Sequence, residues 1–292
     1  MVCLPMFASA DLVEISGYCG KDGDNIKWTY NSDKESLILE GSGEMASCNS
    51  GSPWDKYKES IKTITIGEGI TAISDFAFQS AKVIEVVFPQ TLEKMGAGAF
   101  RFCINLEKVI IPDAVETIGY SVFEDCTQLV EIKLSASLTE IPRDAFRQTT
   151  IKVLEVPDKV EKIGNAAFYS CKELQIVTLP EGLKEIGSHC FNECSQLSII
   201  NFPESLSMIG AYAFRACNNL ESVEIIGPTT IGNCAFRECS GLSALHFPIH
   251  SQKQILVKMF LMSVTSYRHC IILRCLCICQ NKVTILIKCL MV

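Results

Sequence analysis

Phenylalanine recurs at Phe78, Phe100, Phe123, Phe146, Phe168, Phe191, Phe214 and Phe236, at intervals of 22 or 23 residues. A fixed period of this length means a stack of similar units that share one core, not a single globule around a pocket. Such a chain offers a surface more readily than a reaction centre. It also means that a chain of 292 residues need not divide into two globular domains.

Other positions move in step with the phenylalanine. Alanine precedes it at Ala77, Ala99, Ala145, Ala167, Ala213 and Ala235, and cysteine follows at Cys103, Cys126, Cys171, Cys194, Cys217 and Cys239. An aliphatic residue and a strand-like alternation come next, as in Leu174 with Val177-Thr178-Leu179, usually closed by proline (Pro89, Pro112, Pro157, Pro180, Pro203, Pro248). Proline donates no ladder hydrogen bond, so it ends the strand and turns the chain. An Ile-Gly or Met-Gly pair follows, as at Ile118-Gly119, Ile186-Gly187 and Ile209-Gly210. Glycine there permits a positive φ or a close backbone approach at a corner. Ala-Phe then opens a short helical or 3₁₀ segment on the opposite wall.

From about Ile61 to Pro248 these positions resemble the BspA-like leucine-rich repeat family, whose pattern reads L-x-x-I-G-x-x-A-F-x-x-C-x-x-L-x-x-V-x-I-P. The resemblance implies an α/β repeat: a leucine-rich-repeat solenoid with short parallel β-strands, one per coil, and an N-terminal β-rich cap. It also implies non-catalytic adhesion to host proteins or cells. Departures are local: Thr149 stands for the cysteine, Pro142 for the glycine, Val122 for the alanine and Ser135 for the proline.

The chain divides into four parts on this reading. Residues 1–14 look like the remnant of a signal peptide, since Ala8-Ser9-Ala10 fits a signal-peptidase site although no basic flank precedes it. Residues 15–57 form the cap, with two alternating strands about a turn at Asn31-Ser32-Asp33-Lys34 and with Trp28 and Trp54 plugging the open end. Residues 58–248 carry the repeats. Residues 249–292 are a Cys/Lys-rich tail outside the solenoid, expected to be poorly ordered. The tail holds six basic and no acidic residues, against 20 basic and 33 acidic before it, so charge shifts from −13 to +6. That break, at the residue where the repeat phase is lost, reads as a frameshifted or degenerate gene end. Charged residues interrupt every tail window long enough for a transmembrane helix.

The acidic repeats argue against a nucleic-acid partner, which needs clustered Lys and Arg. No phosphate loop, cofactor motif, metal-ligand spacing or catalytic group emerges; His189 beside Cys190 lacks an orienting third group. The repeat cysteines read as reduced core thiols, and Cys19 with Cys48 is the one pair considered for a disulfide.

Function then falls to the outward side of the strands. Val153, Ile176 and Ile199 occupy one outward column, and Lys133, Glu155, Thr178 and Asn201 the next. Together these seven form the expected protein-binding site: an apolar stripe beside polar selectivity. The reading is a surface or secreted protein that binds host or extracellular proteins. Two others stay open, an intracellular interaction scaffold and a fragment of a surface-protein gene family without independent function. The sequence sets no oligomeric state.

Overall fold

The structure, a computed structural model, describes residues 14–48, 51–248, 272–279 and 282–288. The expected signal-peptide remnant lies outside these residues but for Glu14. The fold is a β-solenoid of about nine coils of ~23 residues, with parallel strands and almost no helix. Each coil has three sides. A front strand such as Ile176–Thr178 is followed by a two-residue side strand such as Glu185–Ile186, then by a run of turns that carries the phenylalanine.

The front strands alternate in burial as their sequence alternates in polarity. Val177 is buried between Ile176 and Thr178, and Leu154 between Val153 and Glu155. Val153, Ile176 and Ile199 lie in register on three successive parallel strands.

The expected helical wall is absent, and the α/β class is corrected to β. Among the described residues the only helix is the single 3₁₀ turn Asp55–Tyr57, which precedes the first phenylalanine. The cause lies in the backbone on either side of each phenylalanine. The residues two before and two after it take positive φ in every coil: Ala166 at 54° and Ser170 at 57° flank Phe168, and His189 at 57° and Glu193 at 64° flank Phe191. Left-handed residues end an α-helix, and each costs an L-residue on the order of 1 kcal/mol. The neighbouring coil holds them in place. The N–H groups of Ala166, Phe168 and Ser170 donate to the carbonyls of Ser188, Cys190 and Asn192 at 2.9, 2.9 and 2.7 Å. The same three-bond pattern links the successive turn runs from Phe78 to Phe236. With these bonds the turn wall satisfies its buried amides without a helix.

Inside the wall the rings stack in one column. Phe168 lies 5.3 Å from Phe146 and 5.4 Å from Phe191, with interplanar angles of 12° and 4°. The column runs unbroken from Phe78 to Phe236. Trp54 extends it, stacking on Phe78 at 5.3 Å, and Trp28 meets the edge of Trp54 at 6.2 Å.

The corner glycines serve close approach. Gly119, Gly187 and Gly210 have ordinary φ, but a Cβ on each would stand 2.2, 2.6 and 2.3 Å from a backbone nitrogen of the preceding coil. Each glycine N–H donates across the side sheet, as Gly187 does to Ile163 O at 2.8 Å and Gly164 to Ile141 O at 2.7 Å. Pro142 occupies this position and has no N–H to give. The side sheet breaks there, into a four-strand part ending at Thr117–Ile118 and a five-strand part beginning at Glu140–Ile141. The turn wall carries on across the break through Phe123 N–H to Ala145 O at 2.9 Å.

At the N-terminal end, Glu14–Gly20, Gly23–Asn31 and Ser36–Gly41 form an antiparallel meander, one strand more than its sequence signals. Its last strand joins the front sheet by parallel pairing with Thr63–Ile66. At the other end Lys282–Lys288 pairs antiparallel with Ala244–Pro248 and with Ile272–Cys279. The expectation of a poorly ordered tail is thus corrected for these two strands. Both are rich in β-branched and aliphatic residues, and the last front strand offers them an edge. Their direction is antiparallel, where a further coil would be parallel.

Three substitutions, one of them a control, test this packing. Phe168→Ala should lower unfolding free energy by about 3–5 kcal/mol in a urea titration, because neighbouring rings cannot close the cavity. Gly210→Ala should cost about 1–3 kcal/mol by forcing coils apart. Gly182→Ala, whose Cβ would meet only Asp158 O at 3.7 Å, should stay within about 0.5 kcal/mol of the parent.

Candidate protein-binding face

The front sheet presents its outward columns as a shallow surface. Val153 and Ile199 are 48% and 50% exposed, and Ile176 between them is half-buried. Lys133, Glu155, Thr178 and Asn201 are exposed beside them. Beyond Ile176 and Ile199 the surface dips into an open depression of about 440 Å³. Four of the seven expected residues line it: Ile176, Thr178, Ile199 and Asn201. Lys133, Val153 and Glu155 lie along the stripe outside it.

Sequence reasoning missed the far wall. Ile226 lines the depression and is 51% exposed. It stands one period after Pro203, in the column that proline fills in most coils, and that substitution is the signal that marks it. Glu181 and Glu204, each following a strand-ending proline, line the same depression. A second apolar group lies toward the N-terminal end, where Val87 and Ile110 are exposed one coil apart. The ion pair of Lys108 with Glu131 at 2.6 Å lies between this group and the stripe.

The turn wall carries several ion pairs between successive coils. Glu124 binds Arg101 at 2.9 Å and approaches Arg147 at 3.9 Å, while Arg215 lies between Glu193 and Glu238. Burial, and then the neighbouring Glu124, raises the pKa of Asp125 and Asp144. Arg147 also covers the ring of Tyr169, whose hydroxyl donates to Glu193 at 3.0 Å.

The cysteine column is structural. Each thiol donates to the phenylalanine carbonyl of the coil before: Cys126 to Phe100 O at 3.1 Å, Cys194 to Phe168 O at 3.1 Å, Cys217 to Phe191 O at 3.2 Å. Burial pushes Cys103 up to about 12 and Cys171 up to about 11, and moves Cys126, Cys194 and Cys217 well above the ordinary thiol value of 9.0. A thiol so held is a poor nucleophile. Thr149, in the cysteine position, donates instead to Phe146 O within its own coil at 2.9 Å. Cys19 and Cys48 are both buried and both free. His189 Nδ1 meets Asn192 Nδ2 at 2.9 Å and its ring stacks on Tyr212, while the adjacent Cys190 is buried with its pKa raised by desolvation. Among the described residues no group of three or more His, Cys, Asp or Glu is placed to hold a metal ion, and no helix is long and apolar enough to cross a membrane.

Coil length, parallel front strands and the repeated Phe and Cys columns define a leucine-rich-repeat solenoid. The profile of the BspA-type leucine-rich repeat region matches residues 56–175 and 139–265 in six copies, and the chain belongs to this family. Its fold is similar to that of a leucine-rich repeat protein from T. pallidum, at 20% identity and a TM-score of 0.52, over 83% of this chain and 94% of the other. It is also similar to a leucine-rich repeat protein from Bacteroides ovatus, at 26% identity and a TM-score of 0.50, over 75% of this chain and 69% of the other. No curated protein matches the sequence. Repeat proteins of this class present extended surfaces to protein partners.

The thiol column yields a pH dependence. A thiol whose pKa is raised in the folded state keeps its proton while the unfolded thiol loses it. Its contribution to stability is therefore complete below pH 9.0 and is lost as pH rises toward 12. Urea midpoints measured at about pH 8 and about pH 10.5 should fall more for the parent than for Cys103→Ala/Cys126→Ala, which removes two such groups.

Proposed function

We propose that the chain is a non-catalytic surface or secreted protein that binds host or extracellular proteins through its front sheet. The contact residues are Lys133, Val153, Glu155, Ile176, Thr178, Ile199 and Asn201. One observation carries this reading: Val153, Ile176 and Ile199 form an in-register apolar stripe that faces outward, with polar residues on the next outward column. Contiguous apolar surface with a polar rim is the usual mark of a protein contact. Adhesion and the surface location rest on the family resemblance.

The division of the chain belongs to the same proposal. Residues 15–57 act as an N-terminal cap, 58–248 as the repeats, and 249–292 lie outside the repeat unit. Support for the cap comes from Trp54 and Ser52, which cover the ring and the carbonyl that the first turn run would otherwise leave open. Trp54 Nε1 and Ser52 Oγ donate to Ala77 O at 2.9 and 2.6 Å. A second reading, an intracellular interaction scaffold, is favoured by the reduced, buried thiols of the repeat column at Cys103, Cys126, Cys171, Cys194 and Cys217. Labelling of the native protein on unpermeabilised cells separates the two, since only a surface protein is labelled.

Ile176→Glu tests the face. It should weaken binding to extracellular-matrix proteins about tenfold or more, because a carboxylate would enter the contact unpaired. The thermal midpoint should hold. Unchanged binding with an unchanged melt would exclude this face.

A further inference from the structure

We infer that the front-sheet depression receives an extended, cationic protein segment in which basic and aliphatic residues alternate. The inference rests on the front sheet being the binding face and adds the chemistry of the partner.

The floor and far wall of the depression are apolar, from Ile176, Ile199 and Ile226. Its edge is acidic. Glu181 and Glu204 occupy equivalent positions of neighbouring coils, so their backbones lie about 4.8 Å apart. Glu155 is exposed on the column beside them. Among the described residues none of these three carboxylates belongs to an ion pair. Elsewhere the same stacking brings a cation beside the acid: Lys162 pairs with Glu185 at 3.4 Å and Lys184 with Glu161 at 2.7 Å on the side sheet, and Arg101 with Glu124 at 2.9 Å on the turn wall. The negative charge at the edge of the depression therefore sits on Glu181 and Glu204.

Stacked like charges repel, and a cation laid along them relieves the repulsion. The apolar floor adds the second requirement. A purely polar cation would leave Ile199 and Ile226 in water, and a purely apolar segment would desolvate the carboxylates without pairing them. The depression is too open to enclose a small molecule, which ordinarily buries most of its surface. An extended chain meets both demands, because its alternate side chains point to opposite faces: one set covers the isoleucines while flanking basic residues reach the rim.

The test uses three labelled 12-residue peptides of alternating Lys-Ile, Glu-Ile and Lys-Ser, with association rates measured against the full chain. The Lys-Ile peptide should bind fastest, and its association should slow with added salt. Glu181→Gln/Glu204→Gln should slow it roughly tenfold. A control of equal charge change on other exposed coil positions, Glu107→Gln/Glu116→Gln, should not, and Ile199→Ser should speed its dissociation. The proposal is overturned if the Glu-Ile peptide binds as well as Lys-Ile, or if the control variant slows binding as much as the rim variant. If Ile176→Glu weakens matrix-protein binding while the rim variant changes nothing, the face stands and the cationic partner falls. If neither changes binding, both fall.

Discussion

The three amide bonds that each turn run sends to the next coil are what the remaining structure depends on. They pair N–H groups two residues before, at, and two residues after each phenylalanine from Phe78 to Phe214 with carbonyls of the following coil. That pairing holds residues such as Ala166, Tyr212 and Ala216 in a left-handed conformation they would not choose alone. Those conformations in turn point the phenylalanine inward, onto the ring of the coil before. Ring stacking and backbone pairing therefore reinforce each other, and neither is available to a single coil. The thiol bonds from cysteine to the preceding phenylalanine carbonyl add a second tie at the same level.

Coil spacing set on the turn wall propagates to the other two sides. On the side sheet it brings backbones so close that only glycine fits at most corners, and where Pro142 replaces glycine the ladder stops while the wall continues. On the front sheet it puts equivalent residues in register, so a short run of isoleucine and valine in one column becomes a continuous stripe. The same register stacks carboxylates at Glu181 and Glu204 without a cation between them. The binding surface proposed for the chain is thus a by-product of how its coils repeat.

Much of this was legible in the residues. The period located the coils, and alternation in Val177-Thr178-Leu179 fixed which side chains point outward. The wall was not legible. The residues that take positive φ include Phe76, Ala166, Tyr212 and Ala216, none with a local preference for it, so Ala-Phe reads as helical from the sequence. Side strands of two residues are too short for any periodic signal, and the glycines that mark them fit a corner equally well. Strand Glu14–Gly20 went unread because Gly17 and Gly20 interrupt it. Of the candidate face, the stripe and its polar column followed from strand phase. The depression did not, because Ile226 and Glu204 reach it from turns beyond the strand ends.

The central claim is one continuous ring column through the repeats, and proton contacts between phenylalanine rings in a ring-labelled sample measure it directly. The account predicts that Phe168 shows contacts to Phe146 and to Phe191, one coil away on either side, and none to Phe123 or Phe214, two coils away. Absence of contacts between rings 22 or 23 residues apart, or contacts linking Phe168 to a distant coil, would contradict it.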